Sequence, residues 1–157
     1  MSRRTDYFND PSAPKANSIV PAVTAFVMND AGEVLLERRS DNGLWGMPGG
    51  AQEIGENISG TVCREVLEET GIQVEVVGLV GIFTDPGHVI AFADGEVRQE
   101  FSLCFRARPV SGEIKVSSES FAVRWVPRAE LDSLDISPTT RRRLEEGFRN
   151  GEVPLIS

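Results

Sequence analysis

Three glutamates, Glu65, Glu68 and Glu69, stand at i, i+3 and i+4. On a helix that spacing projects all three from one face, within reach of one another. Like charges so placed cost roughly 0.2–0.5 kcal/mol per pair, and acids in a last turn oppose the helix dipole by about 0.3–1 kcal/mol each. A solvated acidic face tolerates costs of that size, so charge alone does not single out chemistry. A hard divalent cation such as Mg²⁺ or Mn²⁺ takes carboxylate oxygens and water, and over this face it would turn repulsion into attraction. Just upstream runs Gly43-Leu44-Trp45-Gly46-Met47-Pro48-Gly49-Gly50. Alone it reads as a turn. Beside a carboxylate cluster, Gly49 and Gly50 read as points where the main chain approaches a ligand closely.

The element that must position the glutamates is a helix over residues 57–70. Ile58, Val62, Val66 and Thr70 recur at four-residue spacing as a core-facing stripe with the glutamates off it, and Gly71 sits where a left-handed C-terminal cap belongs. Gly60, Thr61 and Thr70 make it a mediocre helix by propensity, so tertiary packing has to hold it.

Taken together, Gly50, five residues, Glu56, seven residues, then Arg64-Glu65-Val66-Leu67-Glu68-Glu69-Thr70-Gly71-Ile72 resembles a complete Nudix box. At background usage of about 7 per cent or less per fixed residue, the pattern arises by chance at a given start with probability on the order of 10⁻⁹. The preceding Trp45-Gly46-Met47-Pro48-Gly49 is similar to the run that leads into such boxes, with Met47 where Leu or Phe is commoner.

The resemblance implies an α/β fold, a Nudix-type α/β/α sandwich with a central mixed β-sheet. It implies that Glu65, Glu68 and Glu69 bind Mg²⁺ (or Mn²⁺), with the Gly49 main-chain carbonyl as a further ligand. Glu68 is also carried over as catalytic. Arg64 pairs with Glu56 to fix the loop against the helix; without the resemblance both would simply cap and solvate the helix. A further carboxylate outside the box, serving as ligand or base, is expected at Glu119, ahead of the strand ending in Trp125, with Glu100 as the second choice. Arg39 resembles a position from which relatives contact substrate, and Pro86 the downstream proline of ADP-ribose pyrophosphatases. Either is equally a plain surface or turn residue.

The rest of the chain agrees with one domain of this kind. A length of 157 residues with 40% hydrophobic and 25% charged residues is an ordinary globular balance. Residues 1–18 read as an extended N-terminal arm and 19–157 as a single domain. Two strands at 19–28 and 33–38, joined by Asn29-Asp30-Ala31-Gly32, read as a hairpin feeding the glycine loop. Strands follow at 73–83 and 121–126, with a turn at Asp94-Gly95. Val97, Phe101, Leu103, Phe105 and Ala107 read as one face of a single alternating strand, with Arg98, Glu100, Ser102 and Arg106 on the other. A helical turn begins at Pro127, and a last helix runs from Ser137-Pro138 to about Arg149, with Gly151 near its end.

A net charge of −8 without a basic stripe argues against nucleic acid as partner. No apolar run has transmembrane length and the N-terminus is polar, so a cytoplasmic protein without membrane contact is expected. Cys63 and Cys104 fit a reducing compartment, as packing residues. A single histidine, His88, leaves little for histidine-driven acid/base chemistry or a multi-histidine Zn site.

The reaction class is hydrolysis of a phosphoanhydride in a small-molecule nucleotide, with metal neutralising phosphate oxygens and activating water. A nucleoside diphosphate linked to another moiety, such as ADP-ribose or a nucleotide sugar, is one substrate; a (d)NTP, including oxidised dGTP, is the alternative. A non-catalytic nucleotide-sugar-binding module would ordinarily lose box glutamates, and all are kept. Tyr7-Phe8 in the arm either docks on a second copy, as in homodimeric relatives, or folds over its own sheet. The sequence leaves both open.

Overall fold

Alternation of apolar and polar residues divides most of this chain into short strands, and the computed structural model describes them for residues 4–157; the first three residues of the expected arm lie outside the described residues. Strand β1 (Arg4–Phe8) and the short β2 (Ser18–Ile19) precede β3 (Ala22–Val27) and β4 (Val34–Arg39). The glycine run contributes β5 (Trp45–Gly46) and β6 (Gly49–Ala51) and leads into helix α1 (Ile58–Thr70). Strands β7 (Ile72–Phe83), β8 (His88–Phe92), β9 (Val97–Gln99), β10 (Ser102–Gly112) and β11 (Ser120–Val126) follow. A 3₁₀ turn (Arg128–Ser133), helix α2 (Pro138–Arg149) and β12 (Leu155–Ile156) complete the described chain.

The central sheet has five strands in the order β12-β7-β10-β3-β6 and is mixed, because β10 runs parallel to β3 and antiparallel to β7. Its strands are apolar on both faces, as buried strands must be. On one face Val23, Ala25 and Val27 of β3 pack against Val62 and Val66 of α1. On the other, Phe26 of the same strand packs with Leu144 of α2 and Leu131 of the 3₁₀ turn. The result is an α/β/α sandwich with a mixed sheet.

Local signals set the helix ends. Asn57 caps α1 by accepting from the Gly60 amide at 2.8 Å, and Gly71 at φ 80° closes it with its amide bonded to the Leu67 carbonyl. Ser137 caps α2, whose first position is Pro138, while Asn150 rather than Gly151 takes the left-handed closing conformation at φ 50°. The short polar side chain of asparagine is among the few that tolerate it.

Two expected strand assignments change. The 19–28 run is divided, with Ser18–Ile19 parallel to β9 in a second sheet and Ala22–Val27 in the central one. Pro21 lies at the crossing, where its missing N–H costs no ladder bond. The expected hairpin is also absent as a ladder. The turn closes, Asn29 N–H donating to the Glu33 carbonyl at 3.0 Å, but β4 then joins a three-stranded sheet, β11-β4-β5. Its residues face both apolar layers, Leu35 toward α1 and Leu36 toward α2, so it is inserted between partners on both edges.

The alternating run over residues 97–107 likewise breaks at Glu100–Phe101. Its first part joins the small sheet β1-β8-β9-β2 and its second the central one. The second part is covered on both faces: Cys104 lies in the layer of α2, Phe105 and Ala107 in that of α1, and Ser102 is buried although expected on a polar face. The arm residues Arg4–Phe8 pair antiparallel with His88–Phe92, so Tyr7-Phe8 lies on this chain's own sheet. Among the described residues no helix is long and apolar enough to cross a membrane.

Candidate active site

The glycine run and the helix meet because neither glycine leaves room for a side chain. A Cβ on Gly49 would run into the Val23 carbonyl and the Thr24 Cα, and one on Gly50 into the Glu65 carboxylate. With that space kept, β6 pairs with β3 and lies along the glutamate face of α1. Arg64 then fastens the two together. Its Nε and Nη2 donate to the two carboxylate oxygens of Glu56 at 2.6 and 3.0 Å. The same guanidinium reaches the Ala51 carbonyl at 3.2 Å and Glu65 at 2.8 Å. Hydrogen bonds from Arg64 hold the Glu56 carboxyl down to about 2.

Glu65, Glu68 and Glu69 are not equivalent, which corrects the expectation that all three lie off the core stripe. Glu68 is solvent-exposed and reached only by Arg64, at 3.3 Å. Glu65 is largely covered. Glu69 is 6% exposed, next to the core stripe rather than off it. It lies at i+3 from Val66, close enough to the apolar stripe for the glycine loop to close over it. Its Oε2 accepts from the Gly49 amide at 2.9 Å.

Beneath the loop Glu69 meets a carboxylate that sequence reasoning missed. Glu37, in the middle of β4, is 4% exposed and accepts from the Ser120 hydroxyl at 3.0 Å. Burial pushes Glu37 up to about 7, against the opposing pull of Ser120 and Arg39. Burial, then the charge of Glu37, pushes Glu69 up to about 10 against the Gly49 hydrogen bond. The signal was present in Val34-Leu35-Leu36-Glu37, an acid following three apolar residues inside a strand.

The donors at this spot are carboxylate and main-chain oxygens, the set that hard divalent cations take. Among the described residues Arg39 acts on both buried acids and favours their ionised forms, but its guanidinium is forked onto Asp41 at 2.9 and 2.7 Å. In kind and charge the residues therefore fit a divalent cation. Among the described residues no three acidic, histidine or cysteine side chains stand together as a ready ligand set; Arg64 is bonded to Glu56, Glu65 and Glu68. Glu119 is exposed at the start of β11. Its carbonyl accepts from the Ser40 hydroxyl at 2.8 Å, and its charge adds to the repulsion at Glu37.

Next to the loop opens a cleft of about 220 Å³ lined by Gly49, Gly50, Ala51, Trp45, Arg39 and the small sheet. Glu100 lines it too, but away from the box acids and not on the expected polar strand face. Buried where the chain crosses between sheets, it pairs with Arg143 of α2 and lies 3.1 Å from His88 Nδ1. His88 Nε2 is 2.9 Å from Asp6 of β1. Burial opposes charge on the ring, yet Asp6 and Glu100 push His88 up to about 9. Burial likewise opposes charge on Asp6, but His88 and Arg4 hold its carboxyl well below the usual range. Pro86 is exposed in the turn between β7 and β8 and is not among the cleft residues. A turn proline there follows from its fixed φ and needs no ligand.

The family model described as NUDIX domain matches residues 19–146. A MutT-like protein of Streptomyces ambofaciens is 37% identical over 128 residues, which is 80% of this chain and 75% of that protein. A putative 8-oxo-dGTP diphosphatase of Bacillus subtilis (strain 168) is 28% identical over 125 residues, 80% of this chain and 76% of the relative. Among solved structures, the MutT protein of Methanosarcina mazei Go1 is 26% identical with a TM-score of 0.68, covering 89% of this chain and all of that one, 100%.

Proposed function

The chain belongs to the Nudix family of pyrophosphohydrolases, and on that premise we propose that it hydrolyses a phosphoanhydride of a nucleoside triphosphate with a divalent cation, Mg²⁺ or Mn²⁺. The observation that supports this reading is the closure of the glycine loop over Glu69, which sets Gly49 between a buried carboxylate and the cleft that Gly49 and Gly50 line. The relative named for 8-oxo-dGTP favours the triphosphate class. Pro86, the residue that pointed to ADP-ribose, lies outside the cleft.

In this reading Glu65, Glu69 and the Gly49 carbonyl would hold the cation, with Glu68 joining them, Glu65 and Glu68 turning to it from Arg64 and Glu37 seated behind. When bound, the cation supplies positive charge against the phosphates and lowers the pKa of a water. The protein contributes the rest. Arg64 and Glu56 keep loop and helix in register, Glu119, exposed just ahead of β11, accepts a proton from water, and Arg39 at the cleft wall orients a phosphate.

A panel of (d)NTPs, ADP-ribose and nucleotide sugars with Mg²⁺ or Mn²⁺ tests this. The expected products are NMP and pyrophosphate. Release of AMP from ADP-ribose with (d)NTPs untouched would replace this substrate class by the other, and no hydrolysis of any member would sink both.

A further inference from the structure

We infer that the small sheet β1-β8-β9-β2 is the wall that recognises the nucleobase, and that β1, which lies ahead of the segment matched by the family model, carries part of the selectivity. The inference rests on a nucleotide being the substrate. Side chains alternate along a strand, so Arg4, Asp6 and Phe8 share one face of β1 while Thr5 and Tyr7 take the other. Their register partners on β8 are Phe92, Ile90 and His88, and all six residues line the cleft. One face of a paired ribbon is thus turned toward the site, opposite the glycine loop.

That face has the chemistry of a planar-ring platform rather than of a phosphate site. Phe8 rests on the His88 ring with centroids 4.5 Å apart and is still 40% exposed, unusual for an aromatic side chain inside a cleft. Phe92 lies under the Arg98 guanidinium at 4.5 Å. The charges on the wall cancel locally: Arg4 forks onto Asp6 at 3.1 and 2.8 Å, Arg98 onto Glu96 at 2.7 and 2.9 Å, and His88 stands between Asp6 and Glu100. Phosphate has little to gain from such pairs. A neutral heterocycle gains a ring to stack on and, at its edge, the donors of Arg4 beside the acceptors of Asp6. His88 acts as a positioning residue, fastening β1 to the body through Asp6 and Phe8.

The test measures binding of nucleoside monophosphates and of inorganic pyrophosphate by calorimetry, in the wild type and in Phe8→Ala, Phe8→Tyr and Thr5→Ala. Loss of one base–aromatic stack predicts that Phe8→Ala weakens the monophosphate about tenfold or more. Pyrophosphate binding should stay unchanged, Phe8→Tyr should restore the monophosphate, and Thr5→Ala, on the outward face, should match the wild type. Equal weakening of both ligands in Phe8→Ala, equal losses in Thr5→Ala, or no monophosphate binding by the wild type would overturn the wall. Phe8-dependent monophosphate binding without hydrolysis of any nucleotide would instead reject the proposed activity and leave the wall standing.

Discussion

Glu69, in the last turn of α1, accepts a hydrogen bond from the Gly49 amide 20 residues earlier, at 2.9 Å. The contact seals the glycine loop over a carboxylate that burial pushes up to about 10. Replacing Glu69 by the isosteric glutamine keeps that seal and removes the group's capacity to ionise against a cation. Turnover should fall by about two to three orders of magnitude, the scale of losing one charge-stabilising group. The melting temperature should hold or rise, because a costly buried acid has gone. Steady-state kinetics and circular dichroism on one preparation check both halves; full activity in Glu69→Gln would remove this residue from the chemistry.

A cation that binds here binds only the folded chain. Titrating Mg²⁺ at pH 7.5 should raise the melting temperature by mass action, up to about 2.7 kcal/mol at a hundredfold excess over Kd. Chelation should reverse the shift and abolish turnover, and Glu69→Gln should blunt the response.

Glu119 and Glu100, the two candidates for a carboxylate from outside the box, should fail in different ways. Glu119 is exposed just ahead of β11, so Glu119→Gln should lower kcat with the melting temperature unchanged. Glu100 is buried against Arg143 and His88, and Glu100→Gln strands those charges. A loss of about 3 kcal/mol, or roughly 10 °C in melting temperature, is expected from breaking a buried pair. Equal kcat losses with both folds intact would reject the distinction.

His88 makes stability pH-dependent. Despite burial, Asp6 and Glu100 push its pKa up to about 9, above the unfolded value of 6.5. A group whose folded pKa is raised contributes stability that is fully present below 6.5 and lost as pH rises through about 9. The shift corresponds to a few kcal/mol at most. Melting in chelator across that alkaline range should show wild type converging on His88→Gln; parallel curves would show the histidine already neutral.

The two glycines should separate by what a methyl meets. At Gly49 it meets main chain of β3, which cannot yield, so Gly49→Ala should cost about 1–3 kcal/mol in stability. At Gly50 it meets the Glu65 carboxylate, a side chain that can move. Gly50→Ala should therefore keep more stability and lose turnover by displacing that acid from Arg64. Urea melts beside kcat distinguish the two.

Much of this was legible in linear order because its causes are local. The α1 cap at Gly71, the proline start of α2 and the pairing of Arg64 with Glu56 all depend on residues within one or two turns or along one loop. The strand runs at 73–83 and 121–126 were legible by periodicity, as Ile72–Phe83 and Ser120–Val126. The hairpin and the long alternating strand were misjudged because each run was apolar enough to be a strand while its partner edge lay far away in sequence.

The sequence by itself determined the family, since the seven fixed residues that carry the resemblance lie in one loop and one helix, and the family brings the reaction class with it. Only the tertiary structure decided which carboxylates are buried, because that depends on strands packed from elsewhere. It brought Glu37 from β4 under Glu69, sent Glu100 to Arg143 instead of the box acids, and folded Arg4–Phe8 against His88–Phe92 as a wall of the cleft. Burial and charge pairing are sums over neighbours distant in the chain, and no spacing within a single segment encodes them.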